Sequence, residues 1–335
     1  MKIGDILPRN PVFLAPMSGV TDLPFRRLAW RFGAGLVVSE MVASEQLVRA
    51  EDEAVLKSSG EGIFPHVVQL AGREAKWMGV AAKRARDLGA DIIDINMGCP
   101  AKKVTKGYSG SALMRDLDHA LTLVETTVEA VDCPVTLKMR LGWDETTINA
   151  PELAKRAEDA GIRMVTVHGR TRQQFYKGSA DWDAISSVRD AISIPLVANG
   201  DISNFNQLSE VKRRSGCDAF MIGRGVYGQP WIVGHLAQYL ETGSMPESPS
   251  GPVLADIVSE HYEMLLEHYG VFIGIRAARK HLAWYLDADP VLKNTVSDKE
   301  RQTLMTSDDK REVLAVISDF FSRSEPSVIR EKAAA

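Results

Sequence analysis

Ile92-Ile93-Asp94-Ile95-Asn96-Met97-Gly98-Cys99-Pro100 is an apolar run that alternates into polar side chains and then presents a thiol on a Gly-Cys-Pro turn. A run of that kind suits a strand covered on both faces, as in a parallel sheet. Gly98 and Pro100 restrict the backbone on either side of Cys99, so the turn aims the thiol. A cysteine just past the carboxyl end of a buried strand stands where α/β enzymes assemble their chemistry, whereas free cysteines elsewhere commonly just fill space. The rest of the chain has to decide between those two roles.

Similar runs recur at residues 12–15, 36–39, 66–70, 135–138, 164–168, 196–199 and 219–222, which with 92–96 makes eight. Between them lie helix-like segments, among them 23–32, 75–88, 121–131, 150–160, 184–191 and 206–214. Parallel strands need a crossover between them, so this strict alternation predicts an α/β fold, a (β/α)8 TIM barrel, over residues 1–241. The competing open doubly wound sheet is disfavoured because no Gly-x-Gly-x-x-Gly follows any strand. Gly89, Gly161 and Gly216 stand where a helix gives way to the next strand and predict left-handed caps. Cys133 and Cys217 also fall on that amino-terminal side, where barrel residues serve stability, and only Cys99 lies on the catalytic side. The Pro-, Ser- and Gly-rich stretch 242–252 reads as a linker. Beyond it, apolar spacing of three and four at 254–269, 273–286 and 310–321 predicts a small all-helical domain over 253–323, with a frayed tail over 324–335.

Bulk properties exclude several classes. With 45% hydrophobic and 25% charged residues among 335, the chain is an ordinary globular protein. No apolar run is long enough to span a bilayer and Met1-Lys2-Ile3-Gly4-Asp5 carries no signal core, so a cytoplasmic protein without a membrane partner is expected. Three cysteines without paired spacing fit a reducing compartment, and the absence of a CxxC or a His/Cys cluster predicts no metal site. A net charge of −4 gives no general attraction to nucleic acid, so any such contact must come from local basic clusters.

The carboxyl ends of the expected strands form a polar ring. It runs through Ala15-Pro16-Met17, Gln69, Asn96 with Cys99, Lys138 with Arg140, His168 with Arg170, Asn199-Gly200-Asp201 and Gly223-Arg224-Gly225. The glycine-bearing turns after strands seven and eight occupy the usual phosphate position of a barrel, where unhindered backbone N–H groups and Arg224 suit a phosphate-bearing cofactor. Lys138 and His168 on neighbouring strands would then stand beside an electron-rich ring, which suits a flavin gaining negative charge.

Several long motifs in order carry a resemblance: Ala15-Pro16-Met17-Ser18-Gly19-Val20-Thr21-Asp22, Asp94-Ile95-Asn96-Met97-Gly98-Cys99-Pro100 with Lys103, Gly107 through Met114, Lys138-Met139-Arg140, Val167-His168-Gly169-Arg170-Thr171 and Asn199-Gly200-Asp201. Together they closely resemble the tRNA-dihydrouridine synthases, most of all the bacterial B-type branch. That resemblance implies an FMN-binding barrel followed by a helical tRNA-binding domain, and NADPH-dependent reduction of the C5=C6 bond of selected uridines in tRNA. By position, Cys99 would protonate C5 after flavin hydride reaches C6. Pro16, Met17, Gln69, Lys138 and His168 would surround the flavin ring, while Asn199, Asp201, Gly223 and Arg224 would hold its phosphate end, with Ala15 and Gly200 completing that set. Asn96 would lie near the target base. A proton donor must stay protonated, and no His or Lys adjoins Cys99 in sequence to lower its pKa.

A uridine in folded tRNA reaches a barrel mouth only when flipped out, so binding surface is needed elsewhere. Lys102, Lys103 and Lys106 after the cysteine, Arg140 after strand five and Arg170-Thr171-Arg172 after strand six are candidates near the site. Arg276, Arg279 and Lys280 share one helix face in the tail, with His281, Trp284 and Tyr285 beside them. Two other readings remain open: a flavin barrel acting on a free pyrimidine such as dihydroorotate, which would not need the basic helical tail, and a non-catalytic RNA-binding protein on a barrel scaffold.

Overall fold

A computed structural model describes residues 1–325. Eight parallel strands close into a barrel in sequence order: β1 Val12–Leu14, β2 Leu36–Ala43, β3 Val67–Ala71, β4 Ile92–Met97, β5 Val135–Arg140, β6 Val165–His168, β7 Leu196–Asn199 and β8 Ala219–Ile222. The expected runs are all present, and β2 extends four residues further, through a register irregularity between Val38 and Met41, than the expected end at 39. Helices missed by periodicity, such as Ser44–Val48 and Lys102–Lys106, are too short for a 3.6-residue pattern to repeat.

Side-chain alternation along the strands explains why the barrel is closed at one end and polar at the other. Phe13, Leu36, Val38, Val67, Ile92, Val197, Ala219 and Met221 pack with Ile3 into one apolar core. Ile3 and Ile6 bridge each other as an antiparallel pair and plug that end. One or two steps of two residues further along the same strands, the inward positions become Gln69, Asp94, Asn96 and Asn199. The barrel therefore has an apolar floor and a polar mouth at the carboxyl ends of its strands. The expected helix-to-strand glycines Gly89, Gly161 and Gly216 have φ of 92°, 105° and 64°, and Gly216 caps the helix Phe205–Ser215 as a left-handed residue. Cys217 is buried and Cys133 half-buried ahead of β8 and β5, as expected of structural positions.

By contacts the chain divides into Met1–Gly225 and Val226–Ala335, so the boundary falls ahead of the expected one after residue 241. The helix Ile232–Thr242, amphipathic enough to extend the barrel's helical ring by pattern alone, belongs to the second unit, and only 243–250 of the expected linker is free of regular structure. In that unit the helices Gly251–Tyr269, Val271–Ala288 and Lys310–Phe321 bury Leu254, Val258, Leu265, Ile275, Leu282, Ile317 and Phe320. The expected tail, past Glu325, lies outside the described residues. Among those described, no helix is long and apolar enough to cross a membrane.

Candidate active site

Strand register assembles the site. Gln69 of β3 pairs with Asp94 of β4, Asp94 with Thr136 of β5, Asn96 with Lys138, Arg140 with His168, and His168 with Asn199. Residues far apart in sequence thereby share layers of the barrel mouth.

The Gly-Cys-Pro turn is held by a one-way chain of hydrogen bonds. Gly98 N and Cys99 N donate to Asn96 Oδ1 at 3.2 and 3.0 Å. Asn96 Nδ2 donates to Gln69 Oε1 at 2.7 Å, and Gln69 Nε2 donates to Asp94 Oδ2 at 2.7 Å. The hydroxyl of Thr136 donates to Asp94 Oδ1 at 2.6 Å. Because a carboxylate accepts only, this anchor fixes which way both side-chain amides face, and so fixes the acceptor under the cysteine turn. Burial pushes Asp94 above the usual carboxylate range, and the bonds from Thr136 and Gln69 together with Lys138 oppose that rise. Asp94 and Thr136 escaped the sequence reading, although Asp94 lies two residues before Asn96 on one strand and so shares its face. From the other side, Ser111 N and Oγ donate to the Cys99 carbonyl at 3.1 and 2.9 Å. The Cys99 thiol is half-buried, and burial raises its pKa more than the Ala101 amide, Arg140 and Lys138 lower it.

Lys138 Nζ donates to Asn199 Oδ1 at 3.0 Å, and Asn199 Nδ2 donates to the Met221 carbonyl at 2.8 Å. Burial, then Arg140, lowers Lys138 to about 8, against support from Asp94 and Cys99. His168 is held well below its usual value by burial and by Arg140, Lys138, Arg170 and Arg224, so its ring is neutral near pH 7. Its Nδ1 is buried without a hydrogen-bond partner among the described residues. A Cβ added at Gly223 would lie in ordinary contact with Met17 Sδ and the Ala15 Cβ, at 3.9 and 4.0 Å. Pro16 and Met17 enter the mouth on a turn whose Gly19 amide donates to the buried Glu40 at 2.5 Å, while Thr21 Oγ1 accepts from Met17 N at 2.8 Å. Gly200, at φ 115°, could not carry a Cβ, which would meet Ala180 Cβ at 2.8 Å.

Three of the expected RNA contacts have partners within the barrel unit. Arg170 has a side chain only 2% exposed, clamped by Asp201 at 2.9 and 2.5 Å and by the Lys177 and Gly178 carbonyls. Arg140 is buried and donates to the carbonyls of Gly98, Thr171 and Phe175 at 2.8, 2.9 and 2.9 Å, and Thr171 is buried beneath it. These two guanidiniums stitch the loop after β6 to the cysteine turn and to the loop after β7. Asp201, expected beside a cofactor phosphate, is a carboxylate that would repel one and is occupied by Arg170 and the Ala180 amide, with Arg224 at 3.8 Å. Burial raises its pKa, but those partners hold it below the usual carboxylate value overall. Lys103 is exposed on the short helix after the cysteine, and Arg172 lies half-buried at the same rim. In the helical unit Arg276 is exposed and its guanidinium lies 4.0 Å over the Phe272 ring, while Lys280 is half-buried. Arg279 is engaged by the Thr306 carbonyl at 3.0 Å and Asp308 at 2.8 Å, because a fixed carboxylate lies within its reach.

The dihydrouridine synthase family matches residues 13–323. The chain belongs to the dihydrouridine synthase family. It is 62% identical to a probable tRNA-dihydrouridine synthase of Rhizobium leguminosarum bv. phaseoli over 308 residues, covering 92% of this chain and 94% of the relative. It is 43% identical to tRNA-dihydrouridine synthase B of Pseudomonas putida over 332 residues, covering 99% and 97%. Among solved structures, it resembles an old yellow enzyme homologue from Zymomonas mobilis with TM-score 0.52 at 16% identity, over 73% of this chain and 92% of that one. Morphinone reductase bound to tetrahydroNAD aligns with TM-score 0.52 at 15% identity, over 76% and 92%. Those likenesses concern the barrel fold. This dihydrouridine synthase is therefore an enzyme of tRNA dihydrouridine formation built on a TIM barrel with a helical carboxyl-terminal unit.

Proposed function

We propose that this synthase reduces the C5=C6 bond of specific uridines in tRNA with FMN as cofactor and NADPH as electron donor, and that Cys99 delivers the proton to C5. The observation that carries the reading is a half-buried thiol, neutral at rest, on a turn whose two amides are fixed by Asn96. A neutral thiol suits an acid and not a nucleophile. The mouth fits a flavin: the Lys138 ammonium would supply a donor to a ring and the unpartnered His168 Nδ1 a polar partner, Pro16, Met17 and Gln69 would edge it, and Asn199, Gly200, Gly223 and Arg224 would offer a turn-rich anion cradle. FMN held there would supply a hydride for C6. Lys138, mostly protonated at pH 7, holds positive charge beside the ring. Arg170 acts on the cofactor indirectly, by fixing Asp201 and hence the loops that flank the cradle. Beyond the relay to Gln69, Asn96 Nδ2 has a 4.0 Å approach to Met41 Sδ that a base carbonyl would displace, and the Cys99 thiol would give its proton to C5 of that base. The barrel unit Met1–Gly225 would be the catalytic part, the helices over 253–323 the tRNA-binding part, and the cytoplasm the place of action.

Cys99→Ala tests this reading. The variant keeps its yellow flavin and the reduction of that flavin by NADPH, and loses most dihydrouridine formation in tRNA lacking the modification. Full reduction of tRNA by the variant removes Cys99 from the acid role.

A further inference from the structure

The rim formed by the loops after β4, β5 and β6 carries a second cluster outside the catalytic mouth. Arg115 and Arg172 place their guanidiniums 4.9 and 4.8 Å from the centre of the Trp143 ring. Neither arginine forms an ion pair among the described residues, unlike Arg27, Arg156, Arg170, Arg189 and Arg214 elsewhere in the barrel unit. Among the described residues, Arg172 Nε is buried without a partner and Arg172 Nη2 has only a 3.4 Å approach to Thr105 Oγ1. The neighbouring carboxylate, Asp144, is turned into its own loop, where Oδ1 accepts from the hydroxyls of Thr146 and Thr147 at 2.7 and 2.9 Å, and Oδ2 has only Gln173 at 3.4 Å.

Backbone bonds build this cluster in place. Arg172 N donates to the Gly142 carbonyl at 3.0 Å and Gln173 N to the Trp143 carbonyl at 2.9 Å, zipping the loops after β5 and β6. Asn149 Nδ2 donates to the Met114 carbonyl at 2.8 Å, which ties in the 3₁₀ turn Gly110–Arg115. That same turn is bonded to Cys99 through Ser111, so the cluster shares a rim with the thiol. A guanidinium lying against an indole keeps its N–H edge free for a planar, two-point contact with a phosphate. Two like charges on one ring repel each other, and an anion bound between them removes that repulsion.

We propose that Arg115 and Arg172, stacked on Trp143, bind a backbone phosphodiester of the RNA strand flanking the uridine that enters the barrel mouth. The site rests on the tRNA reading given above. It positions the strand at the lip and leaves the base to the pocket, as phosphate contacts do in general.

The test uses the flavin-loaded full chain with Arg115→Gln, Arg172→Gln and both, which keep a planar polar group on the indole. Retained flavin absorbance and thermal midpoint report the fold, and exposed Arg115 alone carries the test if Arg172→Gln destabilises the rim. Each substitution weakens tRNA binding about tenfold near physiological salt and lowers the slope of log K against log salt by about one, while the double variant lowers it by about two. The KM for tRNA rises accordingly and the KM for NADPH stays where it is. Unchanged tRNA affinity and salt slope beside a wild type that forms dihydrouridine overturn the site alone, and so does a loss confined to NADPH. A wild-type chain that forms no dihydrouridine in unmodified tRNA overturns the functional reading itself.

Discussion

Replacing Asp94 separates two things its carboxylate could do for Cys99: orient the amide chain, or support the charge on Lys138. Asp94→Leu is close in shape and removes both acceptors, so the buried Gln69 Nε2 and Thr136 Oγ1 lose their partners. An unmade buried hydrogen bond costs about 1–3 kcal/mol, and the Thr136 hydroxyl can rotate to another acceptor, which gives about 2–4 kcal/mol in all. For a chain of 335 residues that is roughly 1–2 °C of thermal midpoint per kcal/mol. The functional loss follows from freedom rather than from stability. Once Gln69 can turn over, Asn96 no longer faces Gly98 N and Cys99 N by necessity, and a displacement of about 1 Å at a reacting group costs on the order of a hundredfold in rate. Asp94→Asn behaves differently. Its oxygen still accepts from Gln69 and its amide nitrogen donates to Thr136, whose hydroxyl accepts as readily as it donates, so the chain keeps its direction at a cost below about 1 kcal/mol. Single-turnover conversion of tRNA uridine by NADPH-reduced enzyme, measured beside the thermal midpoint, should show Asn near wild type and Leu about a hundredfold slower. An Asn variant as slow as the Leu variant refutes the orientation argument and assigns the effect to charge beside Lys138.

Lys138 gives a pH signature with a definite sign. Its pKa falls from 10.5 to about 8 on folding, so between those values the unfolded chain holds more protons and stability due to this residue rises with pH. Lys138→Met is therefore stabilised relative to wild type below about pH 8, an advantage that shrinks toward pH 10.5, as denaturant titrations across that window will show. In activity, wild type loses rate above about pH 8 and the Met variant lacks that limb. His168, held neutral by burial and by the surrounding cations, contributes no step near pH 6.5, so a rate profile with an inflection there that disappears in His168→Gln contradicts its assigned state. Asp201→Asn leaves Arg170 buried with one charge partner fewer and should cost about 3–5 kcal/mol along with flavin retention. Flavin stoichiometry after gel filtration, read with the unfolding midpoint, checks it, and a fully loaded variant of unchanged stability counts against the clamp.

Much of the fold is local information. Short apolar runs at 92–96 and 196–199 end in polar residues of one parity, and Gly216 stops a helix because only a left-handed residue fits there. Those signals sit within a few residues of one another, so the order of strands, the polar end of each and the place of Cys99 were all legible. The boundary at Gly225 was not, because the helix Ile232–Thr242 has the same amphipathic pattern as the barrel's own helices, and only contacts tell which core it covers.

The sequence by itself determined which side chains stand at the carboxyl ends of the strands, since period-2 alternation and turn chemistry are short-range. Only the tertiary structure decided what each of them does. Arg170 and Arg172 are two residues apart and chemically identical, yet one is sealed against Asp201, 31 residues away, while the other stands at the rim with an unpaired Nε. Gln69, Asp94 and Thr136 become one hydrogen-bonded unit across separations of 25 and 42 residues because barrel closure sets their register. Burial and partnership of a charged group depend on which distant elements arrive beside it, and no local pattern of residues encodes that.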